Sequence, residues 1–160
     1  MSYFLWIEDF ENSPQVTAQG VLGSILKEDL FSDKKQQLRN NLKEHGIFVE
    51  LNFQDGLRFI RENLSKIDYV ILDIDLPAYS DEDEINANVL QLFRDFQGYE
   101  EVTDEAQDEA LIADNCKQLK AIAGFYLYTE LVVELGFPKQ HILFCSNHAE
   151  NASKSKEDIR

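Results

Sequence analysis

Two apolar runs in this chain end in carboxylates. Tyr69-Val70-Ile71-Leu72 leads directly into Asp73, with Asp75 two positions on and Pro77 closing the segment. Tyr3-Phe4-Leu5-Trp6-Ile7 leads into the pair Glu8-Asp9, and a later run, His141 to Cys145, stops at the hydroxyl of Ser146. Short apolar runs of this kind read as strands buried on both faces of a parallel sheet. Open α/β sheets bind ligands at the carboxyl ends of such strands. With strands one and three as neighbours, Glu8, Asp9 and Asp73 meet at one rim, and Ser146 arrives beside Asp73 on a fourth strand. Three carboxylates so placed repel one another, and a divalent cation is the natural compensation. Magnesium suits the set, since it takes a few carboxylate oxygens and keeps waters that a phosphoryl oxygen can replace. The chemistry expected of Asp73 is therefore attack on phosphorus to give an acyl phosphate, with Ser146 offering its hydroxyl to a phosphoryl oxygen. Asp75 alternates away from Asp73, so its side chain reads as a turn cap.

The intervening segments must bring those strand ends together. Asn12-Ser13-Pro14 places a cap residue before a proline at a first helical position, and a helix follows with Val16, Val21, Leu22, Ile25 and Leu26 facing inward. A break falls near Asp29 to Asp33, and further helix runs from Lys34 to Glu44 with Leu38 and Leu42 as its apolar positions. Strand two is Ile47 to Leu51. Asp55-Gly56 opens an amphipathic helix presenting Leu57, Phe59, Ile60 and Leu64. The resulting βαβαβ order predicts a parallel sheet with right-handed crossovers. The expected architecture is α/β: a flavodoxin-like three-layer sandwich with sheet order 2-1-3-4, in a single domain spanning residues 1–160.

Residues 78–123 interrupt the rhythm. They hold twelve acids and three bases, with helices expected over Asn86 to Phe96 and Ala110 to Ala123, and read as an inserted, solvated helical hairpin or lid. A separate helix, Gly124 to Leu135, precedes the fourth strand. No fifth strand is visible, and residues 147–160 read as a polar loop and partial helix.

Composition narrows the function classes. The chain has 160 residues and a formal net charge of −15, which disfavours nucleic-acid phosphates and anionic lipid and favours cations and basic partners. Two cysteines, Cys116 and Cys145, lack metal-ligand spacing, and Cys145 reads as a buried thiol. A reducing, cytoplasmic setting is expected, with no membrane span and no signal peptide.

Together these segments resemble the receiver domain of two-component response regulators. Trp6-Ile7-Glu8-Asp9 is similar to that family's first strand with its acid pair. Asp73-Ile74-Asp75-Leu76-Pro77 resembles its phosphoacceptor segment, and Ile142 to Ser146 its fourth strand with the switch hydroxyl. The likeness covers residues 3–77 and 124–148. It implies that Glu8, Asp9 and Asp73 hold magnesium with the backbone carbonyl of Asp75. It further implies that Asp73 receives phosphoryl from a histidine kinase or phosphotransfer protein, and that Ser146 is the switch feeding an effector. Two features depart from the family. Its fifth-strand lysine has no counterpart, because Lys154 and Lys156 stand too close to strand four; a fragment of a longer protein is the expected reason. The segment 78–123 is additional. Two alternatives therefore stand beside the receiver: a pseudo-receiver acting as a protein-interaction module, and a phosphohydrolase similar to the haloacid dehalogenases, with Asp73 as nucleophile and Asp75 as acid/base.

Overall fold

The computed structural model describes residues 2–80 and 85–145. Four short strands, β1 (Phe4–Ile7), β2 (Ile47–Glu50), β3 (Tyr69–Leu72) and β4 (Ile142–Phe144), form one sheet in the order β2-β1-β3-β4, all parallel. Helices cover both faces, so the architecture is three-layered α/β. Alternation decides the split: Leu5, Ile7, Val70 and Leu72 enter one core, whereas Trp6, Ile71, Ile47 and Val49 enter the other.

The second core is roofed by α1 (Pro14–Leu22) and α2 (Lys35–Glu44), which supply Ala18, Leu22, Leu38 and Leu42. Ser13 caps α1 by accepting from the Val16 amide, and Pro14 is its first helical residue. The inward set expected for this helix is only partly right. Val16 is 69 % exposed and Ile25 62 %, because the helix ends at Leu22 and turns Pro14, Ala18 and Leu22 inward instead. A helical turn over Glu28–Leu30 marks the expected break.

The first core is roofed by α3 (Phe53–Asn63), α4 (Ala87–Gln97) and α5 (Glu105–Thr129). Helix α3 starts two residues earlier than expected, with Asn52 as its cap. Helices α4 and α5 fill the 78–123 region, but that region is not merely solvated. Val89, Leu92 and Phe93 of α4 and Leu119 of α5 belong to the main core, whereas Asp95 of α4 and Glu105, Glu109 and Asp114 of α5 are exposed. No helix begins at Gly124 either. Helix α5 runs through it for 25 residues and continues as a wider turn over Glu130–Glu134. A half-buried ion pair, Arg61 Nε to Glu130 Oε1 at 2.8 Å, fastens that wider turn to α3.

The sheet edge at β2 is guarded. Arg39 of α2 donates through Nε and Nη2 to the Val49 carbonyl at 3.2 and 2.8 Å, occupying an outward acceptor of the edge strand.

The segment leaving β3 is clamped. Asp73 N–H donates to the Ile7 carbonyl, Gly124 N–H donates to the Ile74 carbonyl, and Leu76 N–H donates to the Lys120 carbonyl. Phe53 and Gln54, the first amides of α3, donate to the carbonyls of Pro77 and Ala78. The contact with α5 needs a residue without a side chain. A Cβ on Gly124 would overlap the Asp73 carbonyl oxygen and stand 2.7 Å from the Ile74 Cα. At Gly56 of α3 an added Cβ would meet side-chain atoms only, Ile7 Cδ1 at 2.8 Å and Cγ2 at 3.2 Å, rather than backbone. Gly124→Ala should therefore cost about 3 kcal/mol or more by overpacking against backbone, whereas Gly56→Ala should cost less, about 1 kcal/mol, because only side-chain atoms must give way and the helix propensity of alanine offsets part of the overpacking. Urea unfolding of the two variants measures the difference; equal midpoints would contradict the clamp.

Candidate metal centre

The register of the two central strands builds the site. Ile7 of β1 pairs with Leu72 of β3, so the next residues, Glu8 and Asp73, emerge side by side at the sheet's carboxyl end. From β1 the chain crosses to β2 on one side, and from β3 to β4 on the other. Glu8 and Asp73 thus flank the switch point of the topology, where an open sheet leaves a crevice. The Glu8 amide still donates to the Glu50 carbonyl at 3.0 Å, which holds the strand direction to its last residue.

Asp9 joins them through a reversal of the chain. Phe10 has φ of 53°, a left-handed backbone that a bulky residue seldom adopts. Its ring turns back to pack edge-on against Trp6 at 5.0 Å and is buried. The turn leaves the Asp9 carboxylate at the rim. Glu8, Asp9 and Asp73 each offer a carboxylate oxygen, and these oxygens lie within 4.8 Å of one another.

Glu8 is 2 % exposed and Asp73 4 %. Burial is the main reason the Glu8 carboxyl is pushed up to about 10; a hydrogen bond with Asp73 and repulsion from Asp73 and Asp9 add to it. Burial also raises Asp9, followed by repulsion from Asp73 and Glu11, while Lys35 of α2 pulls it down. The Glu8 Oε2 accepts from the Asp9 amide at 3.2 Å. Asp73 Oδ1 is buried with no hydrogen-bond partner among the described residues. A buried carboxylate oxygen without a partner, facing two more carboxylates, is a costly arrangement. The cluster could hold a metal ion, whose charge would answer both the repulsion and the orphaned oxygen.

The sequence-predicted residues fare differently. Glu8, Asp9 and Asp73 converge. Asp75 is not one of the three clustered carboxylates; it lies in the clamped segment, half-buried. Ser146 lies outside the described residues, as do His148, Lys154 and Lys156. Cys145 is half-buried rather than buried; its amide donates to the Leu72 carbonyl at 2.9 Å. Burial raises its thiol, with Glu8 and Asp73 adding to the effect, so it borders the acidic rim as a protonated, unreactive group. Two residues that the sequence reading left out, Lys120 and Gly124, hold the segment after Asp73 through their backbones. The only sequence signal for them was a glycine at 124, which reads as a helix start when its neighbour in space is unknown.

No protein-family model matches the chain, and no curated protein and no solved structure matches it. No helix among the described residues is long and apolar enough to cross a membrane.

The pH dependence of the metal-free protein follows from Glu8. Its carboxyl titrates at about 10 when folded, against 4.5 ordinarily. The folded chain therefore keeps a proton that the unfolded chain gives up, and Glu8's contribution to stability is lost as pH rises from 4.5 toward 10. In chelator, Glu8→Gln should melt with the wild type at the acid end of that window and progressively above it toward the alkaline end. Thermal denaturation across pH checks this; a gap that does not grow with pH would show that Glu8 is not the proton holder.

Proposed function

We propose that this chain is a flavodoxin-like receiver domain, phosphorylated on Asp73 in a magnesium-dependent reaction. The single observation that supports it most is the convergence of Glu8, Asp9 and Asp73 at the switch point, with a buried Asp73 oxygen left unpartnered. Glu8, Asp9 and Asp73 would hold the magnesium, with the Asp75 backbone carbonyl as a further ligand. Bound there, the ion neutralises charge on an incoming phosphoryl group.

The chain's own residues do the rest. An oxygen of the Asp73 carboxylate attacks phosphorus. The bond from phosphorus to the donor breaks, and its electron pair leaves with the donor atom, a histidine nitrogen of a kinase or phosphotransfer protein or an acetate oxygen of acetyl phosphate. The product is an aspartyl phosphate, which water cleaves at phosphorus to restore the carboxylate. The clamp on residues 73–78 keeps Asp73 in place, so little reorganisation precedes attack. An effector domain or protein would read the modified state, with Ser146 as the switch hydroxyl.

The carboxylate geometry favours this reading over a phosphohydrolase. A hydrolase of the haloacid dehalogenase type needs Asp75 as acid/base at the same site, and the clustered acids are Glu8, Asp9 and Asp73 instead.

Incubation with magnesium and acetyl phosphate should add one phosphoryl group by intact mass. Asp73→Asn should abolish the addition, and Glu8→Gln or Asp9→Asn should reduce it at least about tenfold by weakening the metal site. Magnesium uptake without phosphoryl gain, or gain that persists in Asp73→Asn, would leave a pseudo-receiver or a different acceptor.

A further inference from the structure

Acidic residues outnumber basic ones in this chain, 30 against 15, but the charge is unevenly spread. From Lys34 to Lys43 there are four cations and no acid. That stretch forms α2, and two of its cations, Arg39 and Lys43, stand one turn apart beside the β2 edge of the sheet. A groove of about 290 Å³ lies there, lined by Arg39 and Lys43 of α2, by Phe48, Val49 and Glu50 of β2, and by Phe59 of α3. Two cations thus face one carboxylate. The apolar part is aromatic: the Phe48 and Phe59 rings are 5.5 Å apart, and Phe48 also stacks on Tyr3 at 6.2 Å.

The backbone at this edge has bonding capacity left. Strand β1 meets β2 through the carbonyls of Gly46 and Glu50, which accept from the Phe4 and Glu8 amides. Alternation therefore turns both the N–H and the C=O of Val49 away from β1, to the open side. Arg39 takes that carbonyl through Nε and Nη2 and approaches Glu50 at 3.5 Å. Its Nη1 donors and the Val49 amide are left uncommitted among the described residues. An arginine anchored in this way is placed before a ligand arrives, so pairing with it costs little ordering. Lys43, exposed on the next turn, adds a second and more mobile charge.

The two faces of the edge ask for different side chains. Helix α2 covers the face into which Ile47 and Val49 project, and it brings the cations. Helix α3 covers the other face, where Phe48 packs against Phe59. A strand laid along β2 would send alternate side chains to the two faces. Carboxylates would meet Arg39 and Lys43, and apolar groups would meet the rings. Nucleic acid has no counterpart for the apolar half. A second copy of this chain would bring its own cations to the same edge and a net charge of −15 with them.

We propose that the β2 edge binds an extended peptide segment of a partner protein, alternating acidic and apolar residues, as an added outer strand. Its carboxylates pair with Arg39 and Lys43, and one of its carbonyls accepts from the Val49 amide. The distant acids of the chain do not prevent this, because at physiological salt charges beyond about 8 Å are largely screened. Arg39 also makes the edge selective. It caps one acceptor against strands in general, and a strand carrying carboxylates is the kind that its charge rewards. The proposal is independent of the metal centre.

The test uses the full chain and a short fluorescein-labelled peptide alternating glutamate with valine and phenylalanine. Fluorescence anisotropy at about 0.15 M salt measures affinity, and the Val49 amide resonance reports the edge. The peptide should bind and shift that resonance. Lys43→Glu should weaken binding at least about tenfold, by losing one charge pair and adding a repulsion, whereas Lys43→Arg should retain it. A peptide with lysine in place of glutamate should not bind. N-methylation should abolish binding along one edge of the peptide and be tolerated along the other, since only one edge approaches β2. Absence of binding to the wild type, indifference to Lys43→Glu, or tolerance of methylation along both edges overturns the proposal. So does an oligonucleotide that binds with the same dependence on Lys43, or a wild-type dimer that Lys43→Glu dissociates, since phosphates or a second copy would then be the occupant.

Discussion

Everything in this molecule bends around the desolvation of like charges at the ends of two adjacent strands. Parallel strands lie about 4.8 Å apart, so in-register pairing of Ile7 with Leu72 makes Glu8 and Asp73 neighbours whatever their chemistry. Helices on both faces then exclude the water that would screen them. A chain with those two acids in that register must either keep a proton between them or supply a cation. The raised Glu8 carboxyl is the first solution, adopted when no ion is bound. The burial that makes the first solution necessary is also what would make the second strong, since ion–carboxylate attraction grows as water is removed.

The strands and their acidic exits were legible because buried parallel strands announce themselves twice, by an unbroken apolar run and by an abrupt polar end. Val70, Ile71 and Leu72 are all buried, and Asp73 follows at once. The helices were less legible for a physical reason. Periodicity tells which residues share a face but not where a helix stops, so Val16 and Ile25 read as one inward face although α1 ends between them and both are exposed. In α4 the polar outer face of Asn88, Gln91, Arg94 and Asp95 masks an inner stripe of Val89, Leu92 and Phe93 that belongs to the main core. Gly124 was the most misleading position. A glycine in a helix costs about 1 kcal/mol against alanine, so one reads it as a boundary. Here that cost is accepted inside a continuous helix because the Asp73 carbonyl occupies the space a side chain would take.

The segment after Asp73 shows how a loop can be made as rigid as the elements it joins. Loops at functional sites are usually more mobile than the elements they connect. Residues 73–78 are tied through their backbone to β1 at Ile7, to α5 at Lys120 and Gly124, and to the start of α3 at Phe53 and Gln54, while the Leu76 and Ala78 side chains are buried in the main core. Amide and carbonyl groups are common to every residue, so the hydrogen bonds of this clamp depend on where the three elements sit, with Gly124 as the one position whose missing side chain allows the approach.

Such a clamp also links the site to the acidic face at the far end of α5. Helix α5 meets the Asp73 segment near its carboxyl end and extends about 30 Å beyond it toward Glu105, at 1.5 Å per residue. There its outer surface carries Glu105, Asp108 and Glu109, with Asp108 accepting from the Tyr99 hydroxyl at 2.7 Å and from the Val102 amide at 3.2 Å. The helix interior is a hydrogen-bonded rod, and its contacts at Lys120 and Gly124 are bonds, not sliding apolar surfaces. Displacement of the Ile74 or Leu76 backbone must therefore break those bonds or carry the helix with it. Leu119, Ala123 and Leu127, all fully buried beside the contact, oppose any independent shift of the rod. The rigidity that preorganises Asp73 and the connection to the distant hairpin are thus one property, set by the same two backbone bonds.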